Sequence, residues 1–270
     1  MDKTSYRIYT KPAEVDKAVN TLRGLLTGIE LDNKINSDEI VELLNWCSIH
    51  REFEDMLPFS EILPVIDKAL EDGELLYEEI QDILYVCEAY SKDGKYYDFI
   101  TATIQKLHGI LYGLIADRIL SDEEILNLSE WLYDNSFLKG TYPFDEVDSL
   151  ITVILNDKKI SEDERNTLYA FLSNFVDTTK SYNLNEPELN NMRSEYCVSG
   201  ICSVNPEIHI ENKLFCFTGT SSKVSRKEIK EIIISQGGLY NDKITTKTNY
   251  LIVGDDGNPC WAFSCYGRKV

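Results

Sequence analysis

The chain has 270 residues, 43% hydrophobic and 27% charged, with 46 Asp/Glu against 27 Lys/Arg and a formal net charge of −19. That length suits about two domains, and the acidic balance argues against a nucleic-acid surface over most of the chain. The opening "MDKTSYRIYT" lacks the apolar core of an export signal and no run approaches the ~18 residues of a membrane span, so the seven Cys are expected as reduced thiols in a cytoplasm.

Residues 1–95 and 96–176 read as two copies of one helical unit. "LRGLLTGIELDNKINSDEIVELLNW" from Leu22 and "LHGILYGLIADRILSDEEILNLSEW" from Leu107 align without a gap at an offset of 85. Gly24 pairs with Gly109, Gly28 with Gly113, Trp46 with Trp131, and Pro58-Phe59 with Pro143-Phe144. So many Gly, Pro and Trp in one register mark a duplication. Each copy is predicted to hold four helices. Ile40, Leu43, Leu44 and Cys47 keep helical spacing, as do Ile62, Val65, Ile66 and Ala69, then Ile80, Ile83, Leu84 and Cys87; the second copy repeats the pattern at Ile125, Leu128 and Leu132. Both Trp are read as core anchors.

A smaller rhythm recurs inside each copy: Asp32-Ile35-Glu39, Asp72-Leu75-Glu79, Asp117-Leu120-Glu124 and Asp157-Ile160-Glu164. It copies the back half of a calcium-binding EF-hand loop. The front half supplies too few oxygens, with Gly28 and Glu30, Lys68 and Leu70, Gly113 and Ile115, or Val153 and Leu155 at the first two ligand positions. Helix capping explains the spacing better. Asn36 with Glu39, Ser121 with Glu124, and Ser161 with Glu164 fit capping boxes, Asp makes the turn, and the apolar residue packs inward. Over about residues 13–176 this alternation of acidic loops and amphipathic helices resembles the tellurite-resistance TerB-like helical domains. The resemblance implies a fold, and a family in which acidic loops have been considered for metal contact.

Residues 177–210 lose helical periodicity, gather Asn, Ser and Pro, and are read as a linker. Cys197 and Cys202 with Cys260 and Cys265 make two C-x4-C pairs, at the edge of zinc-ligand spacing, and separate thiols are the preferred reading.

Residues 211–270 differ in charge. They hold nine Lys/Arg and six Asp/Glu, a net of +3, which leaves −22 for the remainder. The pattern becomes alternating β/α: an apolar strand Leu214–Phe217, a helix Arg226–Gln236 ended by Gly237-Gly238, and strands in "GLYNDKIT" and "NYLIVG", the last apolar throughout and expected at the centre of a parallel sheet. A strand leading through a turn into a helix N-terminus presents amide N–H groups to an anion. Thr218 and Thr220 add hydroxyls, Gly219 allows close approach, and Arg226 offers a bidentate donor.

"FCFTGT…SRKEIKEIIISQGGLYNDKITTKTNYLIVGD" resembles a BRCT domain, closest to that of bacterial NAD-dependent DNA ligases. The resemblance implies a fourth strand and a last helix beyond the "YGRKV" terminus. It also implies binding of a DNA 5′-phosphate or a phosphopeptide through Thr218, Gly219 and Arg226, with Thr220 nearby and a later basic residue, Lys247, Arg268 or Lys269, completing the pocket.

Nothing in the residues points to catalysis. The nearest approach to an adenylating K-x-D-G motif is Lys92-Asp93-Gly94, one residue short, and His50, His108 and His209 are scattered. The expected architecture is α+β and multidomain: a duplicated all-α body, then a small α/β domain with a parallel sheet. The expected function is a non-catalytic, cofactor-free adaptor of DNA metabolism that binds a protein, a phosphopeptide or a 5′-phosphorylated DNA end and contacts no membrane. The alternative is a metal-dependent hydrolase or metal sensor built on the acidic loops.

Overall fold

A computed structural model describes residues 3–32, 34–91, 96–177, 181–196, 208–219, 221, 224–254 and 262–263. The chain divides into two compact units, Met1–Cys202 and Ser203–Val270.

The first unit carries the duplication in its element order. Helices α1 (Lys3–Ile29), α2 (Ser37–His50), α3 (Phe59–Ala69) and α4 (Tyr77–Ser91) are followed by α5 (Phe99–Ile115), α6 (Asp122–Asp134), α7 (Phe144–Ile154) and α8 (Glu162–Leu172). Starts of α2, α3 and α4 recur 85 residues later at α6, α7 and α8, and the Leu57-Pro58 and Tyr142-Pro143 peptides are both cis.

The copies meet at their first helices. A Cβ on Gly24 or Gly109 would stand far inside contact distance of the Lys106 or Thr21 carbonyl oxygen. One on Gly28 would lie 2.5 Å from the Ile110 oxygen, and one on Gly113 would lie 2.7 Å from the Leu25 oxygen. Four glycines thus let two backbones touch. Equivalent residues face one another: Gly24 abuts Gly109, Gly28 abuts Gly113, and Asn20 Nδ2 donates to Gln105 Oε1 at 2.9 Å. Contact between residues 85 apart at three successive turns makes α1 and α5 parallel, related by a pseudo-twofold axis along them. Around this crossing Leu22, Leu25, Ile62, Ile66 and Ile80 are fully buried in the first copy, and Leu107, Ile110, Phe144, Val147 and Leu168 in the second. Apolar burial on this scale is the main stabilising term.

The loops are self-satisfied, as capping chemistry predicts. Asp32, Asp72, Asp117 and Asp157 each accept from the amide two residues on, at 2.9–3.0 Å. Capping boxes close at Asn36/Glu39, Ser121/Glu124 and Ser161/Glu164.

Three expectations for this unit need correction. Leu44 is 47% exposed rather than part of the α2 stripe. Trp46 is buried and stacks on His50 and Phe59, whereas Trp131 is only half-buried, with Asn135 where the first copy has His50. The stretch read as a linker also contains a ninth helix, α9 (Glu186–Glu195), whose Leu189 is buried. It is fastened by Glu42, fully buried on α2. Glu42 Oε1 accepts from Ser181 Oγ at 2.6 Å, Tyr182 N at 2.8 Å and Asn183 N at 2.6 Å, and Oε2 accepts from Tyr112 Oη. Farther along, Arg193 donates to Ser173 Oγ and to the Ser173 carbonyl at 2.8 and 2.7 Å.

The second unit contains β1 (Leu214–Thr218), α10 (Arg226–Ser235), β2 (Leu239–Tyr240) and β3 (Tyr250–Val253) in a parallel sheet of order β2-β1-β3. β1, not β3, takes the centre of the described strands. Its Phe215 and Phe217 are buried against Ile229 and Ile233 of α10, while β3 is half-buried to exposed. An apolar run identifies a strand without setting its neighbours. No helix among the described residues is long and apolar enough to cross a membrane.

Candidate functional site

The corner where β1 ends is built from the main chain outward. Thr218 is buried, and its carbonyl accepts from Gly254 N at 2.9 Å, continuing the β1–β3 ladder by one bond. Gly219 then turns with φ +86°, and a Cβ there would come within 3.3 Å of Gly254 N, so both the backbone angle and the close approach call for glycine. The corner therefore lies at the carboxyl ends of two parallel strands, the usual ligand position in an open α/β sheet.

Arg226 opens α10 and reaches back to this turn. Its Nη1 donates to the Phe217 carbonyl at 3.0 Å, Nη2 donates to the Gly219 carbonyl at 3.1 Å, and the guanidinium carbon lies 5.0 Å from the centre of the Phe217 ring. The side chain proposed to grip phosphate is thus also the clasp that shapes the turn. Of the five N–H donors of the guanidinium, these bonds use two, and the Tyr240 side chain also interacts with it. Two amides at the helix start are already engaged. Ser225 N donates to Glu228 Oε2 at 2.7 Å and Glu228 N donates to Ser225 Oγ at 3.3 Å. The Ser225 bonds hold the Glu228 carboxyl below its ordinary range.

Of the remaining expected site residues, Lys247 is exposed in the turn before β3. Asn249 N pairs with the Leu214 carbonyl at the start of β1, so Lys247 sits at the opposite end of the sheet from Gly219. Four strand steps separate those ends, roughly 13 Å at ~3.3 Å per residue. The structure brings together Thr218, Gly219 and Arg226 and leaves Lys247 away from them. Thr220, Arg268 and Lys269 lie outside the described residues, as do Cys197, Cys202, Cys260, Cys265 and Lys92-Asp93-Gly94.

Residues 207–264 match the BRCA1 C Terminus (BRCT) domain family. This segment is a BRCT domain. Among curated proteins, DNA ligase of Fervidobacterium nodosum is 42% identical over 62 residues, 23% of this chain and 9% of the ligase. DNA ligase of Christiangramia forsetii is 40% identical over 50 residues (18% and 8%), and that of Aquifex aeolicus 43% over 47 residues (17% and 6%). The chain spans less than a tenth of the length of these relatives. No solved structure gives a significant match.

Outside the BRCT domain, two of the four acidic loops, Asp32–Glu39 and Asp117–Glu124, meet. Asn36 Nδ2 donates to Asp117 Oδ2 at 2.9 Å, and Asp32, Glu39, Asp117 and Glu124 share one electrostatic neighbourhood. Burial, followed by the neighbouring carboxylates against the capping bonds, pushes Glu39 up to about 8 and Glu124 up to about 7, and burial raises Asp117. One oxygen of each glutamate is committed locally, Glu39 Oε2 to Asn36 N at 2.8 Å and Glu124 Oε2 to Ser121 N at 2.6 Å. Among the described residues no group of three or more His, Cys, Asp or Glu is arranged to hold a metal ion. Two histidines are packing groups: His50 Nδ1 lies 2.7 Å from the Trp46 carbonyl, and His108 Nδ1 lies 2.8 Å from that of Phe175. Burial lowers His108 to about 4. Sequence reasoning missed Glu42; its one signal is that the equivalent position in the second copy is Asn127, so the carboxylate is peculiar to one half.

Proposed function

We propose that the protein is a non-catalytic adaptor of DNA metabolism. In this reading the BRCT domain recognises a phosphate-bearing partner, a DNA 5′-end or a phosphopeptide, at the Thr218-Gly219 corner, and the helical unit serves as its carrier. The observation that carries it is the placement of Thr218, Gly219 and the Arg226 guanidinium together at the carboxyl ends of β1 and β3. Likeness to DNA ligases over the same segment supports the DNA-metabolism context.

The test compares a 5′-phosphorylated duplex and a phosphopeptide with their unphosphorylated twins by fluorescence anisotropy on the full chain. A phosphorylated twin should bind more tightly, by roughly tenfold or more for charge-assisted hydrogen bonds. Thr218→Val, which keeps the buried shape and removes the hydroxyl, should shrink that difference while leaving the melting temperature nearly unchanged. Equal binding of both members of each pair would end the phosphate reading and leave a protein-contact role.

A further inference from the structure

The duplication is packed shut on one side and open on the other. In the second copy His108 and Tyr142 both pack edge-on against Phe175, with ring centroids 6.3 and 5.6 Å away. The positions 85 residues earlier are Arg23, Leu57 and Tyr90. All three line a cavity of about 990 Å³ in the helical unit, between α1, the Pro58 turn, α4 and α5. Where the second copy has an aromatic cluster, the first thus has a cavity, at the upper end of the size range of small-molecule sites.

The cavity has a charged wall and an apolar one. Arg23 and Lys106 come from α1 and α5, and their counterparts in the other copy are His108 and Thr21, so these cations are not part of the shared packing scheme. Arg23 Nε is buried with no hydrogen-bond partner among the described residues, and its Nη2 reaches Glu88 Oε1 only at 3.5 Å. The Lys106 ammonium makes no hydrogen bond or ion pair among the described residues. Burial, then the neighbouring Arg23 charge, lowers the Lys106 ammonium below its ordinary range, against the pull of Glu88 and Glu30. Asp16 also lines the cavity, with Oδ2 accepting from Tyr96 N at 3.0 Å. The apolar wall includes Val19, Met56, Leu57, Tyr97 and Phe99, and Phe99 is 70% exposed while stacked on Phe137.

We propose that this cavity binds a small amphipathic anion, a carboxylate, sulfonate or phosphate head on a flat apolar body, with the head between Arg23 and Lys106 and the body against Leu57, Tyr90 and Tyr97. Glu88 lines the same wall but reaches Arg23 only at 3.5 Å, so the two cations are incompletely paired and gain from a further anion placed between them. This site is independent of the BRCT corner.

The experiment titrates the full chain with 1-anilinonaphthalene-8-sulfonate and, in parallel, with N-phenyl-1-naphthylamine, a closely similar aromatic body without the sulfonate. The sulfonate should saturate a single site and bind more tightly than its neutral counterpart. Lys106→Met and Arg23→Gln should each weaken the sulfonate by roughly tenfold or more and leave the neutral dye unchanged, and Lys106→Arg should retain binding. Ala102→Trp, which fills the cavity from α5, should abolish binding of both dyes. Lys106→Met decides the matter if Arg23→Gln does not fold, because Lys106 holds no native ion pair. Absence of saturable sulfonate binding, equal affinity for the two dyes, insensitivity to Lys106→Met, or binding that survives in a folded Ala102→Trp variant would each overturn the proposal.

Discussion

Arg226 shows how one side chain at a helix start shapes the turn beside it. Two donors hold the Phe217 and Gly219 carbonyls, so Arg226→Ala should loosen the turn and destabilise the BRCT domain by ~1–2 kcal/mol. Arg226→Lys should recover only part of this, since an ammonium lacks the planar fork that reaches two carbonyls together. Thermal melts of the two variants would check that order; equal stability of both with the parent would show that the clasp contributes nothing. Glu39 makes the contrasting case of a buried acid. Its folded value of about 8 exceeds the usual 4.5, so the native state holds a proton that the unfolded chain releases. The stability this gives is complete below about 4.5 and is lost as pH rises through about 8. Glu39→Gln keeps an acceptor at the third helical position for the Asn36 amide and removes the titration. It should raise stability at pH 8–9 by ~1 kcal/mol or more and change little near pH 4. Denaturant titrations at the two pH values would test it, and an equal shift at both would rule out the proton linkage.

At the level of elements, the α1–α5 crossing depends on glycine because the helices meet backbone to backbone. Gly109→Ala would drive a methyl into the Thr21 carbonyl region and should cost more than the usual overpacking range of ~1–3 kcal/mol, as rigid main chain cannot yield as a side chain does. Much of this level was legible in the sequence. Gly24, Gly28, Gly109 and Gly113 announced the repeat, and the Ser/Asn-x-x-Glu pairs announced the caps, because both are local signals written within a few residues. The α9 segment was not legible. Its anchor, Glu42, accepts from Ser181, Tyr182 and Asn183, 139–141 residues away, and no local periodicity carries such a contact. The same limit explains the sheet: Tyr250–Val253 was identifiable as a strand, while its place beside β1 depends on long-range pairing. Lys247 illustrates a related limit, since a basic residue near the right strand in sequence stands at the opposite end of the sheet from Gly219. Glu42→Gln should turn an amide NH2 toward groups that are themselves donors. It should cost ~2–4 kcal/mol and release residues 181–184 first, seen as faster amide exchange there than in α2. Unchanged exchange at Tyr182 and Asn183 would show that Glu42 is not the anchor.

Across the whole molecule, charge separates the two units' electrostatic roles. Residues 1–210 carry a net of −22 and residues 211–270 a net of +3. A protein that bound duplex DNA along its backbone would release a counterion per phosphate contact and lose affinity steeply with salt. A BRCT corner holding one terminal phosphate neutralises about one charge, which sets a slope of about −1 in log K against log salt. The acidic unit bends this further. Its repulsion of DNA is strongest at low salt and is screened once the Debye length falls below ~10 Å near 0.1 M. The full chain should therefore show a slope no steeper than about −1 for a 5′-phosphorylated duplex, flattening toward low salt, when binding is followed by anisotropy from roughly 50 to 300 mM salt. A phosphopeptide, which carries less surrounding charge for the acidic unit to repel, should show less of this low-salt flattening. A slope of about −4 or steeper for the duplex would instead place several phosphates against the protein, which the single corner of Thr218, Gly219 and Arg226 has no means to hold.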